Sequence, residues 1–236
     1  YASTNFGPHS HFWNEFPDLN QYVARCQHIL QNTRSDNDIL VYFPIHDVWA
    51  MPDSRRFPRT FEVHHAKDWL IESPFGAMIQ DLWYSGYTFD YISDLKLQDL
   101  KISKKEVLAG NSSYRAILVP ECKTIPLETL KRLADLAKKG IPVIFENELP
   151  EDVPGLHQLE ERRTVLNELK AGMKKSGKAI ITSEVKNELM SSGILAEGLS
   201  EKGLSFIRKT SGDRTYYFVT NLSPAPCSDW IKLSVT

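Results

Sequence analysis

Apolar residues at Phe16, Leu19, Val23, Cys26 and Leu30 recur at alternating spacings of three and four, the period that turns one face of an α-helix toward a core. Pro17 and Asp18 suit the first turn of that helix and Asn32 suits its end. The polar run Asp36-Asn37-Asp38 then breaks the period. Ile39-Leu40-Val41-Tyr42-Phe43 follows, a continuous apolar run closed by Pro44. A run of strand length without alternation predicts a strand buried on both faces, as in a parallel sheet. The same pattern returns at Arg115-Ala116-Ile117-Leu118-Val119-Pro120, further strands are predicted at Pro142-Val143-Ile144-Phe145 and Ala179-Ile180-Ile181-Thr182, and residues 87–92 alternate as a strand does.

Helical patterns fill the intervals. Residues 74–84 read as one helix. Residues 126–138 form a second, with Leu127, Leu130, Leu133, Ala134 and Ala137 on one face and Gly140 placed to end it at positive φ. Further helices are predicted near 160–175 and 183–191, and a short hairpin between residues 92 and 115. Residues 1–15 lack periodicity and read as a loop packed over something else. Residues 45–69 mix Pro52, Pro58, His64 and His65 with charges and aromatics, which predicts a long loop of covering or functional use. Strands separated by helices define an α/β class with a parallel sheet and helices on both faces. From Leu204 onward the pattern becomes antiparallel β: residues 206–209, a turn at Ser211-Gly212-Asp213, residues 216–220, and a last strand around 230–235.

Composition narrows the partners. The 236 residues are 42% hydrophobic and 11% aromatic, enough for a sizeable core. Lys and Arg total 28 against 30 Asp and Glu, interspersed as in Glu160-Glu161-Arg162-Arg163. Nothing there builds the single-sign field that attracts nucleic acid or anionic lipid. Cys26, Cys122 and Cys227 lie far apart without CxxC spacing, which argues against a zinc site or a disulfide framework. No apolar stretch approaches the length of a membrane span, and the first thirty residues lack the pattern of a signal peptide. The chain has no initiator Met and ends in a strand-like pattern, so an excised fragment is expected.

The chemistry-bearing motifs are few. Glu15 and Asp18 stand at a helix start, where acidic residues serve capping and the helix dipole. No catalytic residue is assigned. His9 and His11 lack a third ligand at metal spacing, so no metal is expected. Neither a GxGxxG motif nor a P-loop is present, so no nucleotide cofactor is expected. Cys122 follows an apolar strand as a thiol nucleophile would, but Pro120-Glu121-Cys122-Lys123-Thr124 lacks the glycines of a nucleophile elbow. It reads as a small buried residue.

A set of segments carries a resemblance: Phe6-Gly7-Pro8-His9, residues 19–31, Asp38-Ile39-Leu40-Val41-Tyr42-Phe43-Pro44, Asp47-Val48-Trp49, Gly86-Tyr87-Thr88-Phe89-Asp90-Tyr91-Ile92, residues 114–121, and Tyr217-Phe218-Val219-Thr220-Asn221. In order and spacing this set resembles the α-L-rhamnosidases of glycoside hydrolase family 106, over nearly the whole chain. The resemblance implies that residues 1–35 are the last loop and helix of a TIM barrel. Residues 36–200 would be a flavodoxin-like domain similar to class I glutamine amidotransferases, and 201–236 the start of an antiparallel β-sandwich. It also implies a rhamnose-containing oligosaccharide as partner of the longer parent, the rest of the parent chain as a second partner, and a secreted or periplasmic setting.

Glycoside hydrolysis uses two carboxyl groups across the scissile bond, and these are expected upstream. The chain itself is expected to lend substrate-binding loops. His9, His11 and Trp13 would open on the carboxyl face of the barrel, where sugar rings stack on aromatics. His46, Asp47 and Trp49 leave the carboxyl end of the first sheet strand, where open α/β sheets place ligands. The competing readings are structural: Trp13 and Trp49 packing domains together, Asp47 capping a turn. A non-catalytic carbohydrate-binding or oligomerisation module and a thiol amidohydrolase are the alternative functions.

Overall fold

The computed structural model describes residues 7–51 and 66–234. Along the chain run α1 (Phe16–Gln31), β1 (Arg34–Ser35), β2 (Ile39–Tyr42), α2 (Ile45–Ala50), α3 (Pro74–Ser85), β3 (Phe89–Ile92) and α4 (Asp94–Gln98). Three short strands follow: β4 (Lys101–Ser103), β5 (Glu106–Ala109) and β6 (Ser112–Tyr114). Then come β7 (Ala116–Val119), α5 (Leu127–Lys138), β8 (Val143–Glu146), α6 (Leu159–Ser176), β9 (Ile180–Thr182), α7 (Val185–Ser191), β10 (Leu204–Ser211) and β11 (Arg214–Asn221).

The five segments read as the strands of the α/β sheet form one parallel sheet in the order β3-β2-β7-β8-β9. The pleat sends alternate residues to two cores. Leu40, Ile117, Val119, Val143 and Phe145 join Leu130 and Leu133 of α5 and Leu166 and Met173 of α6. Ile39, Val41, Ala116, Leu118 and Ile144 join Phe75, Met78 and Leu82 of α3 and Leu189 of α7. Every residue of β2 and β7 is buried. That two-sided burial is why their sequences are apolar runs without alternation.

Local chemistry fixes the ends of the helices. The Ser73 Oγ accepts the Gly76 N–H at 3.0 Å, and Pro74 occupies the first turn of α3. That helix stops at Gly86, whose φ is +88°. A Cβ there would lie 2.5 Å from the Glu197 carbonyl oxygen, so glycine serves both the turn and the close approach. After α5, Gly140 has φ of +89°, as its position in the sequence predicts.

The amino-terminal edge of the sheet carries a buried ionic cluster. Arg208 on β10 is 5% exposed and reaches Glu197 at 2.8 Å, Asp38 at 2.6 Å and the Asp36 carboxylate at 3.0 Å. Glu197, whose side chain is fully buried, also accepts the Tyr217 hydroxyl and the Ser234 N–H, each at 2.7 Å. Burial opposes the Arg208 charge, but Asp38 and Glu197 more than offset it and hold the guanidinium protonated. This cluster and the pairing of β1 with β10 fasten the β10–β11 hairpin to the sheet.

Several elements depart from expectation. The apolar stripe of α1 faces no core among the described residues: Leu19, Val23 and Leu30 are exposed, and no residue of that helix is buried. Periodicity shows that a face is apolar but not what covers it. Residues 45–50, expected as loop, form α2, and Lys67–Ile71 make a π-helical turn. Six residues are too few to reveal a period of 3.6. Pro52, Pro58, His64 and His65 lie outside the described residues, as do Phe6 and residues 235–236. The expected hairpin after β3 is α4 followed by the antiparallel meander β4-β5-β6. Residues 230–234 are not a strand, and Trp230 stands free in solvent.

A partly exposed ion pair leads into α6. Arg163 Nη2 lies 2.5 Å from Asp152 Oδ2. Hydrogen bonding from Arg163 lowers the Asp152 pKa from its ordinary 3.8 to about 2. A depressed carboxylate stabilises the fold above its unfolded pKa, and that contribution is lost as pH falls through the folded value. Asp152→Asn is therefore expected to lower the melting temperature slightly at pH 7, solvent screening keeping the effect small. The gap should close as pH drops from 3.8 toward about 2; a gap independent of pH over that window would refute an electrostatic origin.

Candidate functional site

The carboxyl ends of β2 and β7 lie side by side where the connections diverge, the place where an open parallel sheet leaves a crevice. From β2 the chain passes through Phe43 and Pro44 into α2, so that His46, Asp47 and Trp49 stand over this edge. Asp47 is fully engaged. One of its oxygens accepts the Thr124 N–H at 2.7 Å and the Thr124 hydroxyl at 2.6 Å, and the other accepts the Lys123 N–H at 2.6 Å. It ties α2 to the segment after β7, in keeping with its capping reading.

His46 lies near a carboxylate from a third strand end. Asp94 opens α4 just beyond β3 and accepts the Tyr42 hydroxyl at 2.8 Å and the Thr129 hydroxyl at 2.6 Å. Its other oxygen lies 3.6 Å from His46 Nε2. Burial, followed by the Asp94 charge, pushes the Tyr42 phenol far above its ordinary range, so it stays a donor. The His46 ring in turn meets Trp49 edge-on, with centroids 5.4 Å apart and planes at 85°. Trp49 is 55% exposed. An aromatic face and an imidazole thus stand side by side at the mouth of the edge.

Beside them opens a cavity of about 300 Å³ lined by Asp47, Met51, Glu121, Cys122, Glu148 and Glu151 among others. Two further carboxylates stand at adjacent strand ends. The Glu121 N–H donates to Glu146 at 3.2 Å, and the Asn147 amide donates to Glu121 at 2.7 Å. Burial raises the Glu146 pKa above the usual carboxylate value, and the Glu121 charge adds to this despite the hydrogen bond that Glu146 accepts. Burial also pushes the Cys122 thiol well up, with the charges of Asp47, Asp94 and Glu121 adding to it. A nucleophilic thiol requires the opposite, which counts against amidohydrolase chemistry at this position.

His9, His11 and Trp13 precede α1. Trp13 stacks on Phe16 at 5.9 Å and His11 meets Phe12 edge-on at 5.1 Å. No hydrogen bond, ion pair or ring contact among the described residues joins these three to His46 or Trp49. Asp94, Glu121 and Glu146 were not among the candidates read from sequence. Their signal is positional: each stands within two residues of the end of a parallel strand, the same rule that singled out His46. Among the described residues no three His, Cys, Asp or Glu side chains converge to hold a metal ion.

Residues 74–236 match the model of the glycoside hydrolase family 106 described as alpha-L-rhamnosidase. The chain belongs to this family. A curated relative from Formosa agariphila, named "Putative beta-glucuronidase", is 23% identical over 227 residues, covering 94% of this chain and 17% of its own length. The solved structure of a rhamnosidase from Novosphingobium sp. PP1Y superposes with a TM-score of 0.66 at 16% identity, over 92% of this chain and 20% of that one. The fold is therefore shared with part of a longer rhamnosidase, and the chain spans about a fifth or less of the length of the proteins it matches. No helix among the described residues is long and apolar enough to cross a membrane.

Proposed function

We propose that this chain is an accessory region of an α-L-rhamnosidase-like enzyme that lends His46 and Trp49 to the rim of a sugar site, while the catalytic carboxylates stand elsewhere in the longer protein. The observation that carries this is the Asp94–His46–Trp49 arrangement at the carboxyl edge, next to an open cavity. An aromatic platform with a polar neighbour suits a sugar, which offers both a C–H face and hydroxyls. Asp47 supports the rim by holding α2 in place. His9, His11 and Trp13 would border the same substrate from the loop before α1.

The domain reading accompanies this. Residues 1–35 are the last loop and helix of a barrel, 36–200 a flavodoxin-like unit, and 201–236 the beginning of an antiparallel β domain. The chain-order pattern of the parallel strands, second-first-third-fourth-fifth, supports the flavodoxin-like assignment. The exposed apolar stripe of α1 supports burial against upstream chain. A rhamnose-containing oligosaccharide is the substrate class that the family offers.

The 236-residue chain alone is expected to hydrolyse an aryl α-L-rhamnoside no faster than background, whereas a form extended upstream turns it over. Glu121 and Glu146 stand shoulder to shoulder at one strand edge rather than across a substrate, the arrangement that hydrolysis needs. Clear turnover by the chain alone, removed by Glu146→Gln or by Glu15→Gln, would overturn the accessory reading.

A further inference from the structure

A second concavity lies away from the carboxyl edge, between the outer strand β3, α3 and β10. It encloses about 190 Å³ and is bordered by Trp83, Tyr87, Phe89, Tyr91, Phe206 and Ile207, with polar groups of Asn37, Ser200 and Ser205 among them. Tyr87 and Phe89 belong to the second core and Tyr91 packs on Phe75, while Trp83 turns its ring toward the opening. Trp83 is 48% exposed and Tyr91 57% exposed, although both flank strongly buried neighbours, Leu82 and Ile92.

The polar groups have spare capacity. Among the described residues the Ser200 and Ser205 hydroxyls make no hydrogen bond of their own, and Asn37 uses its amide nitrogen on the Phe89 carbonyl at 3.0 Å, leaving its side-chain oxygen. Asp90 alternates to the other face of β3, where it accepts the Tyr114 hydroxyl at 2.8 Å. Arg208 forms the floor, and its charge is met by its three carboxylates. It supplies rigidity rather than a charge for a ligand.

We infer that this concavity is a second, non-catalytic carbohydrate site that takes one neutral pyranose ring. A neutral ring matches the lining better than the other candidates. The volume is too small for a helix or strand of a partner protein. Aromatic faces pair with the C–H face of a sugar, and the free serine hydroxyls and the Asn37 amide oxygen accept from sugar hydroxyls. A purely apolar ligand would strand those oxygens without partners, which is costly. Membership in a family of glycoside hydrolases supplies the ligand class. The site stands apart from His46 and Trp49, so it does not depend on the rim assignment.

The test uses the 236-residue chain labelled with ¹⁵N and titrated with L-rhamnose, and in a second arm with a rhamnose-terminated disaccharide. The indole N–H resonance of Trp83, assigned by its loss in Trp83→Phe, is expected to shift in a saturable manner in at least one arm. Trp83→Ala, followed through the backbone amides of β3 and β10, should weaken that binding about tenfold, the effect of losing one stacked ring. Ser205→Ala, a small change on a partly buried strand, should weaken it by less while leaving the spectrum of the folded chain intact. Trp49→Ala should leave it unchanged, which separates this site from the rim. Unshifted Trp83 in both arms, or shifts that survive Trp83→Ala and Ser205→Ala alike, would overturn the inference. If Trp83→Ala does not fold, saturable shifts in the wild type that Ser205→Ala weakens still support it, and shifts that Ser205→Ala leaves untouched refute it.

Discussion

Replacing Arg208 by alanine is expected to cost about 3–5 kcal/mol of stability, the usual penalty for removing one partner of a buried ion pair. The cause is what remains. Glu197 has a fully buried side chain and faces Arg208 at 2.8 Å, with Asp38 at 2.6 Å from the same guanidinium. Without Arg208 these carboxylates, together with Asp36, crowd one end of the sheet, and among the described residues the remaining ion pair to them is from Arg115, which lies 3.7 Å from Asp38 and is partly exposed. Urea unfolding near pH 7 measures the loss, and amide exchange locates it. The β10–β11 amides should lose protection first, while β2 and β7 keep theirs. Glu197→Gln should cost less, because it keeps a neutral acceptor for the Tyr217 hydroxyl and the Ser234 N–H. A loss below about 1 kcal/mol for Arg208→Ala would place the cluster with ordinary surface pairs and end this account.

That cluster also marks where sequence reading stops. Ile207-Arg208-Lys209 reads as an ordinary outward-facing strand, and nothing local distinguishes Arg208 from Lys209 beside it. Its partners Asp36 and Asp38 lie 172 and 170 residues away in sequence. A pairing over such a span is a product of topology, which no window of the chain contains. By contrast, β2, β7 and β8 were legible because burial on both faces forces an apolar run, and Pro44 and Pro120 mark their ends. Helix α5 was legible because it lies along the sheet with one face buried, so its period survives in the sequence. Helix α2 was not, for a helix of six residues carries less than two turns of pattern.

The candidate site was legible in half. The rule that ligands gather at the carboxyl ends of parallel strands singles out His46, Asp47 and Trp49, which α2 carries at that edge. It could not divide the labour among them. Asp47 is spent on Lys123 and Thr124, and the carboxylate beside His46 is Asp94, contributed from beyond β3 and fixed by Tyr42 and Thr129. Adjacent strands of the sheet are distant in sequence, so a rule applied to one strand end at a time finds the members of a site but not their partnerships. The stripe on α1 illustrates the same limit from the other side. Its period is read correctly, yet what covers it is not contained in these residues.

In the longer enzyme, Trp49→Ala is expected to raise KM by the equivalent of about 1–3 kcal/mol, the range for losing one aromatic stacking platform, with little change in kcat. The split follows from position. A ring at the rim contacts substrate and transition state alike, so its loss removes uniform binding rather than transition-state stabilisation. Stability should hardly change, because Trp49 is half exposed and its recorded ring contact is the edge-on meeting with His46 at 5.4 Å. Asp94→Asn provides the companion measurement. It keeps an acceptor for the Tyr42 and Thr129 hydroxyls but weakens the hold on His46, and should therefore raise KM by a smaller factor in the same direction. Should Trp49→Ala instead lower the melting temperature and leave KM where it was, Trp49 is a packing residue between parts of the enzyme. The carboxyl edge would then be an interface rather than part of the sugar site.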